Sequence, residues 1–110
     1  MYRYIEHLRK LRKDLEENLE NYLRSLRDLA RRYGGRVYVF GSYVRGERIG
    51  ASDVDVLIEV PDSVNRLEVL HEARKLVPNR RVEIHVLNES DAQLFKNVIK
   101  YYREVGCNIY

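Results

Sequence analysis

The sequence predicts an α+β domain: a small three-stranded mixed sheet flanked by helices, with one long N-terminal helix ahead of it. Three observations carry this. Residues 2–33 hold apolar side chains at helical spacing, with no Gly or Pro among them. Three short runs rich in Val and Ile, at 36–40, 54–60 and 81–87, have strand character. Helical periodicity returns at 64–77 and from Ser90 to Val105, which fixes the order helix–strand–strand–helix–strand–helix.

The first helix is justified by Ile5, Leu8, Leu11, Leu15, Leu19, Tyr22, Leu26, Leu29 and Tyr33, each three or four residues from the last. Two successive steps of four between Leu11 and Leu19 form a stutter, which favours a straight helix. Glu20 with Arg24 and Asp28 with Arg32 have the favourable i, i+4 order, each pair worth about 0.3 kcal/mol. At about 1.5 Å per residue this helix is roughly 48 Å long, more than a small domain can cover. Part of the stripe is therefore expected to meet a partner helix or a second copy of the chain. Gly34 and Gly35 end the helix, with Gly at the C′ position.

The remaining elements follow from punctuation and period. Arg36–Phe40 is the first strand, Ser42–Gly46 a short helical turn, and a loop runs on through Ser52 with Glu47 and Arg48 solvated. Val54–Val60 is the second strand, closed by Pro61. Ser63 is expected to cap a helix over Val64–Val77 that turns Leu67, Leu70 and Leu76 to the core, with Pro78 as its stop. Arg81–Leu87 alternates, with Val82, Ile84 and Val86 on one face and Glu83, His85 and Leu87 on the other. Ser90 and Gln93 read as a capping box for a last helix with Leu94, Val98, Ile99, Tyr102 and Val105 on its inner face. Gly106 ends it and Cys107–Tyr110 is a tail. Residues 1–110 thus read as one domain, with the long helix over 1–35 and the core over 36–110.

Composition narrows the function. Charged residues make up 34% and the net charge is +3, which permits anionic ligands without demanding nucleic acid. Arg9, Lys10, Arg12 and Lys13 could form a basic patch, but Glu6, Asp14, Glu16 and Glu17 interleave with it and weaken that reading. Cys107 stands alone, so no intrachain disulfide or Cys-based zinc site is expected. No apolar run approaches a membrane span and the N-terminus lacks the apolar core of a secretory signal, so the expected location is the cytoplasm.

The chemistry concentrates between Gly41 and Asp55. Asp53 and Asp55 are two apart, so in an extended chain they share a face, about 7 Å apart along the strand. Two such carboxylates repel, and a hard divalent cation relieves the repulsion by taking oxygens from both. Gly41-Ser42, at the end of the preceding strand, offers flexible backbone and a hydroxyl suited to phosphate oxygens. Glu83, on the polar face of an apolar strand, is the best third carboxylate, and two-metal chemistry asks for one. His85 shares its face and is read as a partly buried structural histidine rather than a ligand. His7 and His71 have no ligand spacing.

Gly41-Ser42, the gap over residues 43–52 and Asp53-Val54-Asp55 together resemble the signature of the minimal nucleotidyltransferase family, within the DNA polymerase beta-like nucleotidyltransferase superfamily. Arg45-Gly46 and Ser52 also match that family's pattern, whereas Val44 stands where a small residue is common. The resemblance covers Val37 to Leu87. It implies a nucleotidyltransferase fold and transfer of a nucleoside monophosphate, AMP from ATP, to a hydroxyl. It implies Asp53, Asp55 and Glu83 as catalytic metal ligands for two ions, Mg²⁺ or alternatively Mn²⁺. Gly41, Ser42 and Arg45 are then the nucleotide-binding residues. It further implies a HEPN-domain partner, a toxin neutralised by modification of a tyrosine. A competing expectation is a binding module that neutralises its partner by occlusion alone.

Overall fold

The computed structural model describes residues 2–46 and 53–106. The expected loop residues Glu47, Arg48 and Ser52 and the tail Cys107–Tyr110 lie outside the described residues. Helix α1 (Tyr2–Arg32), strand β1 (Arg36–Phe40), a 3-10 turn (Gly41–Tyr43), β2 (Val54–Val60), α2 (Arg66–Leu76), β3 (Val82–Asn88), α3 (Glu89–Ile99) and β4 (Tyr102–Glu104) follow in order. The sheet order is β3-β2-β1-β4; β1 is antiparallel to β2 and β4, and β2 is parallel to β3. The α+β class and the mixed sheet are as expected, with a fourth strand added.

Strand alternation divides the sheet into two faces. Val37, Val39, Val54, Val56, Ile58, Val60, Val82 and Val86 form the main core with Leu15, Leu19, Leu26, Leu29 and Ala30 of α1 and Val69 and Ala73 of α2. Tyr38, Phe40 and Leu57 face the other way and pack under Ala92, Phe95 and Ile99 of α3. There Lys96 reaches Glu59 at 2.6 Å and the Tyr38 hydroxyl at 2.9 Å, a half-buried polar clamp holding α3 on the sheet.

Helix α1 ends in a Schellman motif: the Gly35 N–H donates to the Ala30 carbonyl and the Gly34 N–H to the Arg31 carbonyl, with Gly34 at φ +80°. The Tyr33 hydroxyl bonds Glu72 on α2. The molecule is 46 Å long and 27 Å across, so α1 does overhang; Tyr4, Ile5 and Leu8 stay exposed. Leu15 is fully buried and belongs to the core rather than to any external face. The expected charge pairs are replaced: Arg24 bonds Asn21, Asp28 pairs with Arg27, and Arg12 pairs with Glu16.

Other expectations about caps, buried faces and helix ends are corrected. Asn65, not Ser63, caps α2, accepting from the N–H groups of Leu67 and Glu68, and the helix buries Val69 and Ala73 while Leu67 is 62% exposed. Ser90 does not cap α3; its N–H and hydroxyl both donate to Asp62, holding that carboxyl below its usual range, and the helix starts one residue earlier. The last helix stops at Ile99 because Lys100 takes φ +60°, so Tyr102–Glu104 can pair with β1 as β4. Leu94 and Val98, expected on the inner face, are 67% and 77% exposed.

Asn79 is the one buried polar residue among those described, and it ties α1 to the entrance of β3. Its side-chain amide donates to the Leu11 carbonyl at 2.9 Å and to Asp14 at 2.8 Å, while its oxygen accepts from the Arg81 N–H. Burial raises the Asp14 carboxyl, but donors from Tyr22, Asn79 and Asn18 outweigh it and hold the group below its usual range. The same contact pushes the Tyr22 hydroxyl up to about 12, burial contributing most. Asn79→Ala is expected to cost roughly 2–3 kcal/mol, because it removes one donor from Asp14 and one from the Leu11 carbonyl and leaves the Arg81 N–H without its acceptor. With the Asp14 carboxyl depressed, its stabilisation is present above the unfolded pKa and is lost as pH falls through the folded one. Denaturant titrations at pH 7 and pH 3 check this: the gap between wild type and Asn79→Ala should shrink in acid.

Candidate active site

The strand register delivers the carboxylates. Asp55 pairs with Phe40 on β1 and with Glu83 on β3, so all three side chains rise from the same face. That face is covered by α3 only toward the Leu87 end, which leaves the beginnings of β2 and β3 open. Asp53 and Asp55 flank buried Val54, which anchors the stretch in the opposite core. The sequence-derived expectation that both carboxylates share a face with Glu83 therefore holds.

Gly41 closes the site from the β1 side. It takes φ +76°, and a Cβ there would run into the Asp55 carboxylate. Glycine is thus required for its backbone angle and for close approach to the acid. Ser42 follows in the 3-10 turn, and the N–H groups of Val44 and Arg45 both donate to the Gly41 carbonyl. Arg45 is exposed at the end of the turn, near enough to Asp55 to favour its ionised form.

The electrostatics describe a crowded anionic site. Burial pushes the Asp55 carboxyl up and the charge of Asp53 adds to this, against relief from His85 and Arg45. The Glu83 carboxyl is raised first by a hydrogen bond shared with Asp53, then by burial and by the charges of Asp55 and Asp53, with Arg74 opposing. Groups that hold on to protons in this way are asking for positive charge. A carboxylate oxygen of Asp55, one of Glu83 and a ring nitrogen of His85 all lie within 4.8 Å of one another. A divalent cation fits this donor set, with Asp53 alongside.

Sequence reasoning missed one contributor. Arg81 directs its guanidinium onto Asp53 at 3.3 Å and is mostly buried, so it orients the first carboxylate of the pair. Nothing in the local sequence distinguishes Arg81 from Arg80; the role follows from Asn79 holding the Arg81 backbone and from the pairing of β3 with β2. His85, expected to be a partly buried structural residue, is exposed beside the carboxylates. A cavity of about 760 Å³ lies elsewhere, between α1 and the β1–β4 edge, and is lined by Leu23, Arg24, Arg27, Tyr43 and Arg103 among others. None of the predicted site residues lines it.

The four-stranded mixed sheet thus gathers Asp53, Asp55 and Glu83 beside a Gly-Ser turn. The family model for the nucleotidyltransferase domain matches residues 8–105, and the chain belongs to that family. It is 34% identical over 89 residues to protein adenylyltransferase MntA of Thermococcus cleftensis, spanning 76% of this chain and 89% of that protein. This agrees with the minimal type within the polymerase beta-like superfamily. A crystal structure of a protein assigned as a nucleotidyltransferase superposes with a TM-score of 0.59 at 26% identity, over 74% of this chain and 95% of that one. Another, from Sulfolobus solfataricus, gives 0.55 at 19% identity over 88% and 84%, a likeness of fold. The chain is an enzyme of this class, and no helix among the described residues is long and apolar enough to cross a membrane.

Proposed function

We propose that this chain transfers AMP from ATP to a hydroxyl of a partner protein, a tyrosine of a HEPN-domain toxin, and so acts in the cytoplasm as its antitoxin. The observation that carries the reading is the convergence of Asp55 and Glu83, with Asp53 hydrogen-bonded to Glu83, against Gly41. The printed name of the Thermococcus relative, a protein adenylyltransferase, supports AMP as the group and protein as the acceptor.

In the reaction the acceptor oxygen attacks the α-phosphorus, the bond to the bridging oxygen breaks, and pyrophosphate leaves. Asp53, Asp55 and Glu83 would hold Mg²⁺ or Mn²⁺, which supplies charge neutralisation at the attacking and leaving oxygens. Gly41 and Ser42 receive the phosphate chain through backbone and hydroxyl, and Arg45 steadies its far end. Glu83, beside Asp55 across the β2–β3 pair, takes the acceptor proton. Arg81 keeps Asp53 from turning away.

Exposed Tyr4, Ile5 and Leu8 on the α1 overhang supply an apolar surface for a large acceptor. We assign partner docking, or pairing with a second copy, to that stripe. The competing reading, neutralisation by occlusion, is favoured by the same stripe, so one experiment must separate them. The protein is produced in cells with its partner toxin, as wild type, as Asp53→Asn with Asp55→Asn, and as Ile5→Glu with Leu8→Glu. Catalysis predicts that the carboxylate variant still co-purifies with the toxin but fails to protect. Full protection by that variant would establish occlusion instead. The stripe variant should lose both the complex and protection while keeping its melting temperature.

A further inference from the structure

The fold carries a nitrogen donor into the carboxylate site. Parallel register sets Glu83 beside Asp55 and His85 beside Leu57, two residues further along the same face. The His85 ring is flanked by Phe40, with centroids 5.7 Å apart, and by Phe95, at 6.0 Å. Phe40 and Phe95 are themselves packed edge to face at 5.2 Å, so the imidazole has an aromatic wall behind it and solvent in front. Its nitrogen lies within 4.8 Å of oxygens from both Asp55 and Glu83. Donors on a single ion with bonds of about 2.0–2.2 Å stand roughly 3–4 Å apart. Rotation of the side chains closes that difference without moving the strands.

We infer that His85 is a metal ligand, joining Asp55 and Glu83 in an O,O,N set that selects a first-row transition ion such as Mn²⁺ or Co²⁺ over Mg²⁺. Mg²⁺ takes oxygen ligands and gains little from imidazole, whereas imidazole suits the transition ions. The inference takes from the proposed function only the purpose of the site; the ligand set stands on the geometry.

The test uses the whole chain, without nucleotide and in a nitrogen-free buffer, loaded with Mn²⁺. Electron spin-echo spectroscopy of wild-type protein should show coupling to a histidine ¹⁴N, which becomes ¹⁵N coupling when histidine alone is labelled. His85→Ala and His85→Gln should both lose the coupling, and the glutamine variant guards against a packing defect at the aromatic wall. Calorimetric titration should show Mn²⁺ binding weakened roughly tenfold or more by either change, and Mg²⁺ binding altered less than about twofold. Bound Mn²⁺ with oxygen ligands only, coupling that survives in both variants, equal loss of both metals, or no Mn²⁺ binding would each overturn the inference. Transfer activity reports separately. Histidine coupling without AMP transfer would sink the proposed function and leave the ligand, and transfer with all-oxygen coordination would do the reverse.

Discussion

Asp55→Asn is expected to lower AMP transfer by at least about a hundredfold, because loss of a shared ligand misplaces the reacting groups. The same change should leave the metal-free protein as stable as wild type or more so. Asp55 sits half-buried with its carboxyl raised, beside Asp53 and Glu83. A folded-state pKa above the unfolded value means the folded protein holds the proton more tightly. The stability this contributes is present below the unfolded pKa and is lost as pH rises through the folded one. At neutral pH, without metal, Asp55 is therefore a liability, and the neutral isostere removes it. Thermal melts with chelator should place the variant at or above wild type at pH 7 and bring the two closer at pH 4. A large drop in melting temperature at pH 7 would mean that Asp55 is a structural residue.

Gly41→Ala should be nearly as damaging to transfer, for a different reason. The left-handed φ of Gly41 costs an alanine about 1–2 kcal/mol. The added methyl also meets the Asp55 carboxylate, which must turn aside or push the turn away from β2. Gly46 is the matched control. It takes φ +91°, so Gly46→Ala carries similar backbone strain, but among the described residues nothing lies within 4 Å of the new methyl. Chemical denaturation should show a loss of stability in both variants, larger in Gly41→Ala. Transfer should collapse only in Gly41→Ala, by about a hundredfold. Equal activity in both would mean that Gly41 serves the turn and not the acid.

The site was legible because its parts are close in sequence or carried on alternating strands. Gly41 and Asp55 are joined by one connection, and the period of two along Val82–Leu87 already put Glu83 and His85 on one face. What the sequence could not supply was distance across the sheet. The Arg81–Asp53 pair depends on the parallel pairing of β3 with β2, and on Asn79 reaching α1, sixty-eight residues away at Leu11. The same holds for the errors in the fold. Tyr102–Glu104 carries no breaker and reads as helix; it is a strand because β1 offers it an edge. In α2 Val69 and Ala73 face the sheet and α1 with Leu70 packed beside them, while Leu67 and Leu76, half a turn apart around the helix, are left exposed.

The proposed reaction is nucleotidyl transfer at Asp53, Asp55 and Glu83. Its most direct measurement incubates the protein and its partner toxin with ATP labelled either at the α-phosphate or at the γ-phosphate, with a divalent cation or with chelator. α-Label is expected on the toxin only when the cation is present, γ-label is released solely as pyrophosphate, and neither event occurs with the Asp53→Asn, Asp55→Asn variant. Label from the γ-phosphate on the toxin, or α-label transfer that survives the double substitution, would contradict it.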